Sequence, residues 1–181
     1  MRVLVLHGSM RKNGNTEILA EEFIKGAEKA GCITEKIELR DKKINDCIGC
    51  GVCQQNGGKC VQKDDMEEIY GKFIEADIIV FASTVYFYTW TSLMKRVIDR
   101  TFAIESKVDG KKFFLISAGA APEEKYMQVM IDSYREYIGC FRNGKNTDGG
   151  YVIGYNCNMP ADAKGSEAAK KAYELGEKIK E

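Results

Sequence analysis

Val3-Leu4-Val5-Leu6 runs straight into His7-Gly8-Ser9-Met10-Arg11-Lys12-Asn13-Gly14-Asn15-Thr16, and past Thr16 the apolar residues Leu19, Phe23, Ala27 and Ala30 return at helical spacing. This stretch reads as a buried parallel strand, a polar loop and an amphipathic helix. A loop of hydroxyl and amide side chains that ends on a helix start suits an anion. The first N–H groups of a helix have no intrahelical partners, and the macrodipole adds partial positive charge there. Ser9, Asn13, Asn15 and Thr16 can donate to phosphate oxygens, and Arg11 can pair with one as a fork. The loop carries neither the G-K-[ST] ending of a triphosphate loop nor G-x-G-x-x-G.

Outward from this stretch, strands and helices alternate. Thr34 to Arg40 reads as a second strand through Ile37 and Leu39, and Asp64-Asp65 opens a helix with Met66, Ile69, Tyr70, Phe73 and Ile74 on one face. Ile78-Ile79-Val80-Phe81-Ala82 is an unbroken apolar run, as expected of a central strand covered on both faces. A third helix carries Leu93, Met94, Val97 and Ile98, and Phe113 to Ile116 is a fourth strand. Tyr126, Met127, Met130, Ile131, Tyr134 and Ile138 mark a fourth helix, Tyr151 to Ile153 a fifth strand, and Ala168, Ala172, Leu175, Gly176 and Ile179 a last helix. Five strands alternating with five helices predict an α/β fold, a parallel sheet covered on both faces. The flavodoxin-like strand order 2-1-3-4-5 is the simplest right-handed winding, with ligand at the carboxyl ends of strands 1 and 3.

The chain has 181 residues, with 27 Lys plus Arg against 27 Asp plus Glu. The length predicts one domain, 1–181, and the zero balance offers nothing to nucleic acid or an anionic membrane. The opening apolar run is too short for a signal-peptide core or a membrane span, so a cytoplasmic location is expected. Seven cysteines in that setting point to metal or redox chemistry rather than a disulfide framework. His7, the only histidine, is expected to be a strand-end imidazole bonded to backbone.

The pattern G-S-x-R-x-x-G-N-T, from Gly8 to Thr16, resembles the FMN phosphate loop of the flavodoxin-like NADPH-dependent FMN reductases. The resemblance makes Ser9, Arg11, Asn13, Gly14, Asn15 and Thr16 cofactor contacts. Ser83-Thr84-Val85-Tyr86-Phe87 resembles that family's second flavin loop, with Thr84 where a proline is usual. It assigns the backbone of Thr84, Val85, Tyr86 and Phe87 to the flavin, within a turn that Tyr88 and Trp90 also crowd. Ser117, Ala118 and Gly119 follow strand 4 and would be the third flavin-facing loop. The resemblance runs from Arg2 to about Tyr155; residues 156–164 match nothing.

Between residues 41 and 63 no period is visible, and a loop that long is usually functional. Cys47-x2-Cys50-x2-Cys53-x6-Cys60 resembles the bacterial ferredoxin ligation pattern, with Gly49, Gly51, Gly57 and Gly58 allowing tight turns. Together with the flavin loops it resembles the iron–sulfur flavoproteins. Three occupancies stay open: a 4Fe–4S cluster, a thiol loop without one, and zinc, which usually draws on two separated cysteine pairs. If strand 2 neighbours strand 1, the cysteines should lie over the flavin end of the sheet.

The resemblance implies an FMN-dependent oxidoreductase of the iron–sulfur flavoprotein type, taking electrons from NAD(P)H or reduced ferredoxin to a small-molecule or protein acceptor. A cluster-free NAD(P)H-dependent FMN or quinone reductase and a flavodoxin-like electron carrier are the alternatives. The aromatic rim around the flavin predicts a homodimer or tetramer.

Overall fold

A computed structural model describes residues 1–141 and 144–180 of the chain. The strands are β1 (Arg2–His7), β2 (Ile33–Glu38), β3 (Ile78–Thr84), β4 (Lys112–Ala118) and β5 (Thr147–Gly154). The helices are α1 (Asn15–Lys29), α2 (Val52–Gln55), α3 (Met66–Glu75), α4 (Ser92–Arg100), α5 (Gln128–Gly139) and α6 (Glu167–Glu177). The five strands form one parallel sheet in the order β2-β1-β3-β4-β5. This is the flavodoxin-like winding.

Alternation along the central strands builds a core on each face. Leu4, Leu6, Ile79, Phe81, Phe113 and Leu115 meet Phe73 of α3, Met94 of α4 and Tyr134 of α5 on one side. Val3, Val5, Ile78, Val80, Phe114 and Ile116 meet Leu19 and Phe23 of α1 and Ala172 of α6 on the other. Burial on both sides explains why these strands read as continuous apolar runs.

The elements depart from expectation mainly at their ends. β2 stops at Glu38, and Leu39–Asp41 closes as a 3-10 turn. β5 begins at Thr147 rather than Tyr151, because Thr147 and Asp148 pair with Lys112 and Phe113 before a register shift. α5 starts at Gln128, and Tyr126 falls in a preceding 3-10 turn with its side chain exposed. The short α2 lies inside the cysteine segment and had no apolar period to announce it.

Candidate FMN site and thiol cavity

Gly8 leaves the sheet with its N–H on the Ala82 carbonyl, 2.8 Å away, so the loop starts from a fixed point at the carboxyl end of β1. The Arg11 N–H donates to Ser9 Oγ at 3.3 Å, and Asn13 turns through φ 54° with its N–H on Glu17 Oε2 at 2.7 Å. α1 then opens at Gly14, and among the described residues no side chain caps it. Its first N–H groups are left for a ligand.

A cavity of about 250 Å³ lies against this helix start. Ser9, Arg11, Gly14, Asn15 and Thr16 line one side; Thr84, Val85 and Tyr86 line a second, and Ala118 and Gly119 a third. The three loop regions expected to converge therefore do so. The Thr16 and Thr84 hydroxyls are 3.1 Å apart, so the residue standing where proline is usual joins two of the walls. The Val85 N–H donates to the Ala118 carbonyl and the Gly119 N–H to that of Gly154, both at 3.0 Å, which extends the sheet order into the site. A Cβ on Gly119 would stand 2.5 Å from Met127 Cε, so the end of the Met127 side chain would have to shift to admit one.

Three expected contacts fall outside the cavity lining. The Asn13 backbone is turned onto Glu17. Ser117 is fully buried, its hydroxyl donating to the Ser83 carbonyl at 2.6 Å, so the wall begins one residue later. Phe87 sits at the tip of a two-residue turn closed by Tyr86 and Thr89, with φ 48° at Phe87 and 71° at Tyr88, and its side chain is 97% exposed. Trp90 leaves the aromatic rim altogether. It is buried on Phe81, and its Nε1 donates to Ser133 Oγ at 2.8 Å.

Ala120, Cys157 and Asn158 line the cavity but were not foreseen. Residues 156–165 have no periodicity, and only the tertiary structure brings them here. Asn15 is the tie: its Nδ2 donates to the Met159 carbonyl at 2.9 Å, and its Oδ1 accepts the Ala163 N–H at 3.0 Å. Asn15 therefore holds this segment against α1, with its Oδ1 and one of its two Nδ2 hydrogens committed there. The Cys157 N–H reaches the Gly119 carbonyl at 2.9 Å; burial, aided by Asp162, pushes the Cys157 thiol up from its ordinary pKa.

His7 is buried at the end of β1 with Nδ1 2.6 Å from Glu38 Oε2, so its partner is a carboxylate and not backbone. Burial acts to raise the Glu38 pKa, but hydrogen bonds from Lys36 and His7 outweigh it and leave the carboxyl below its usual range.

Cys47, Cys50, Cys53 and Cys60 all line a second, smaller cavity of about 80 Å³. The loop turns through positive φ at Gly49, Gly51, Gly57 and Gly58, and a Cβ on Gly58 would stand 2.6 Å from the Ala103 carbonyl. Among the described residues no three His, Cys, Asp or Glu side chains converge as a single metal ion would require. What the four cysteines share is the lining of this one cavity. Asp99, Arg100, Phe102 and Ala103 also line it.

This cavity is not over the flavin end of the sheet. α4 starts beside β1, where Thr91 Oγ1 donates to the Gly8 carbonyl at 2.6 Å, and the thiol cavity touches its last turn at Asp99 and Arg100. The helix has nine residues, about 13 Å of rise. The loop leaves β2 at the flavin edge as expected, and Arg100 at the end of α4 bonds the Asn45 carbonyl and Asp64 at its neck.

A flavodoxin-like sheet whose first loop opens an uncapped helix onto a cavity walled by two further strand ends is a ligand-binding α/β protein with its site at the switch point of the sheet. The chain matches the NADPH-dependent FMN reductase family over residues 1–134 and belongs to it; it is an FMN-dependent oxidoreductase. It is similar to an iron–sulfur flavoprotein of Archaeoglobus fulgidus, 34% identical over 190 aligned residues, covering 100% of this chain and 80% of that one. An iron–sulfur flavoprotein of Methanocaldococcus jannaschii is 36% identical over 135 residues, covering 71% and 69%. In fold the chain is similar to an azoreductase from Bacillus anthracis, with a TM-score of 0.78 at 17% identity over 98% of this chain and 99% of that one. It is likewise similar to an NAD(P)H:quinone oxidoreductase from Methanothermobacter marburgensis, with a TM-score of 0.71 at 17% identity over 99% and 95%.

Proposed function

We propose that the protein passes electrons from a reduced donor to an acceptor through FMN, together with a 4Fe–4S cluster held by Cys47, Cys50, Cys53 and Cys60. The observation that carries the cluster is that these four cysteines line one cavity. The names of the relatives from A. fulgidus and M. jannaschii support the same reading.

Bound FMN supplies the redox chemistry, and the chain supplies binding and orientation. The start of α1 with Ser9 and Thr16 receives the phosphate, Arg11 pairs with it, and Gly14 leaves room for it. The backbone of Thr84 to Tyr86 and of Ala118 and Gly119 borders the ring, with Phe87 at the rim. The donor is NAD(P)H or reduced ferredoxin, and the acceptor is a small molecule or a protein. Residues 1–181 act as one FMN-binding domain in the cytoplasm, with 41–63 as an insertion. No helix among the described residues is long and apolar enough to cross a membrane. Phe87, Tyr88, Met10 and Met159 are exposed apolar side chains, and such a rim favours a homodimer or tetramer.

A cluster-free NAD(P)H-dependent reductase is the second reading. It is favoured by one observation: the thiol cavity and the FMN cavity share no lining residue. Anaerobic reconstitution with iron and sulfide separates the two. The cluster reading expects wild type to gain acid-labile sulfide and broad absorption beyond that of flavin, and Cys50→Ser to lose both. If wild type gains neither, the cluster-free reading takes its place.

A further inference from the structure

We infer that Arg40 is a positioning residue for cofactor binding, one that sets the shape of the phosphate loop from behind without touching phosphate; this rests on the reading that the loop from Ser9 to Thr16 holds the FMN phosphate. Arg40 lies just past β2, its side chain is 9% exposed, and it does not line the FMN cavity. Its Nη1 donates to the Ser9 carbonyl at 3.5 Å and to the Arg11 carbonyl at 3.4 Å. The same nitrogen lies 3.0 Å from Glu38 Oε2 and 3.6 Å from Glu17 Oε2. Each carboxylate is fixed in turn: Glu38 by His7 and Lys36, Glu17 by Lys36 and the Asn13 N–H. The two hydrogens of one guanidinium nitrogen are therefore shared between two carbonyls of the loop and two anchored carboxylates, with Glu38 the nearest.

The consequence follows from peptide geometry. In a trans peptide the N–H points opposite to the C=O. Holding the Ser9 and Arg11 carbonyls on Arg40 turns the N–H groups of Met10 and Lys12 to the other side of the loop. Among the described residues neither N–H has a partner. Met10 and Lys12 stand outside the cavity lining, so what the brace fixes for the phosphate is the path of Ser9 and Arg11, which do line it, in a loop whose helix has no capping side chain to shape it. Arg40 also keeps its Nε buried and without a partner, an unfavourable arrangement that is tolerated while Nη1 stays on the loop.

FMN and riboflavin differ only in the phosphate, so their affinity ratio reports on the loop and not on the fold at large. Apoprotein is titrated with each, followed by flavin fluorescence, for wild type, Arg40→Met and Arg40→Lys. Wild type should prefer FMN. Arg40→Met should lower that preference by about tenfold, the equivalent of about one hydrogen bond to the charged phosphate at the lower end of its range, with riboflavin affinity nearly unchanged. Arg40→Lys, which keeps the charge on a shorter side chain without the planar guanidinium, should recover part of it. Equal weakening of both ligands, or an unchanged ratio, overturns the role of Arg40. Should Arg40→Met not fold, Glu17→Gln tests the same brace and should shift the ratio in the same direction; an unchanged ratio there overturns it. Equal wild-type affinity for both flavins would instead overturn the phosphate loop itself.

Discussion

Arg100 grips Asp64 with both ends of its fork, 2.7 Å from Nη1 to Oδ2 and 3.0 Å from Nη2 to Oδ1, and both side chains are buried. Asp64 also accepts the N–H groups of Asn45 and Met66, and Arg100 donates to the Asn45 carbonyl at 2.9 Å. Asn45 enters the cysteine segment and Asp64 leaves it. The pair therefore closes the neck of the loop that carries the four thiols, and it seats Arg100 in the wall of their cavity.

Breaking this pair should be among the most damaging single changes. Asp64→Asn leaves the Arg100 charge buried without its partner, a loss of about 3–5 kcal/mol. The pH dependence has a definite sign. Burial acts to raise the Asp64 pKa, but the Arg100 hydrogen bond and the two N–H groups outweigh it, so the folded value lies below the ordinary 3.8. A depressed carboxyl contributes its full stability above that ordinary value and loses it as pH falls. Urea melts should show the variant weaker than wild type at pH 7, with the gap narrowing below about pH 4. An equal gap at pH 7 and pH 3 would count against the pair.

Gly26 of α1 and Gly176 of α6 make a different kind of contact. A Cβ on Gly26 would overlap the Tyr173 carbonyl, and one on Gly176 would overlap the Phe23 carbonyl. The two helices touch backbone to backbone, so Gly176→Ala must push them apart. Overpacking of this kind costs about 1–3 kcal/mol. Gly139→Ala is the control: its Cβ meets nothing within 4 Å, and it should be neutral or stabilising. Denaturant midpoints that fall equally for both would remove the contact from the argument.

Val3 to Leu6 and Ile78 to Ala82 announce the sheet because each position has a core on its own side, and a doubly covered strand has little other way to look. Gly8 to Thr16 announces the candidate phosphate loop because its donors lie close together in the chain. Other features depend on contacts between distant residues. Trp90 resembles its neighbours Tyr88 and Phe87 in composition, but Ser133 and Phe81 draw it inward. Cys157 and Asn158 reach the cavity through Asn15, which is 142 residues upstream of Cys157 in this numbering. The cysteine spacing does not show where the thiols lie, which depends on Arg100 of another helix bonding Asn45 and Asp64 at the neck of their loop.

Arg11 should contribute directly to FMN affinity. Its guanidinium has no partner among the described residues, the side chain is exposed, and it lines the cavity. Arg11→Ala should weaken FMN by about 1.5–3 kcal/mol, the range for a hydrogen bond to a charged group, while leaving the melting of the apoprotein unchanged. Unaltered FMN affinity in the titration would take Arg11 out of the site.

Asn15 should act through the segment it holds. With both ends of its amide bonded to residues 159 and 163, Asn15→Ala releases the segment that carries Cys157 into the cavity wall. In wild type the Cys157 thiol is partly buried and its pKa is raised, so little thiolate forms and alkylation should be slow. Loosening the segment exposes the thiol to water, which lowers its pKa toward the ordinary value and opens a path for reagent. Iodoacetamide labelling of Cys157, followed by mass spectrometry at pH 8, should therefore be slow in wild type and slower still with FMN bound. In Asn15→Ala it should be faster, and FMN should protect less. A wild-type labelling rate in the variant would mean that Asn15 is not what holds this wall in place.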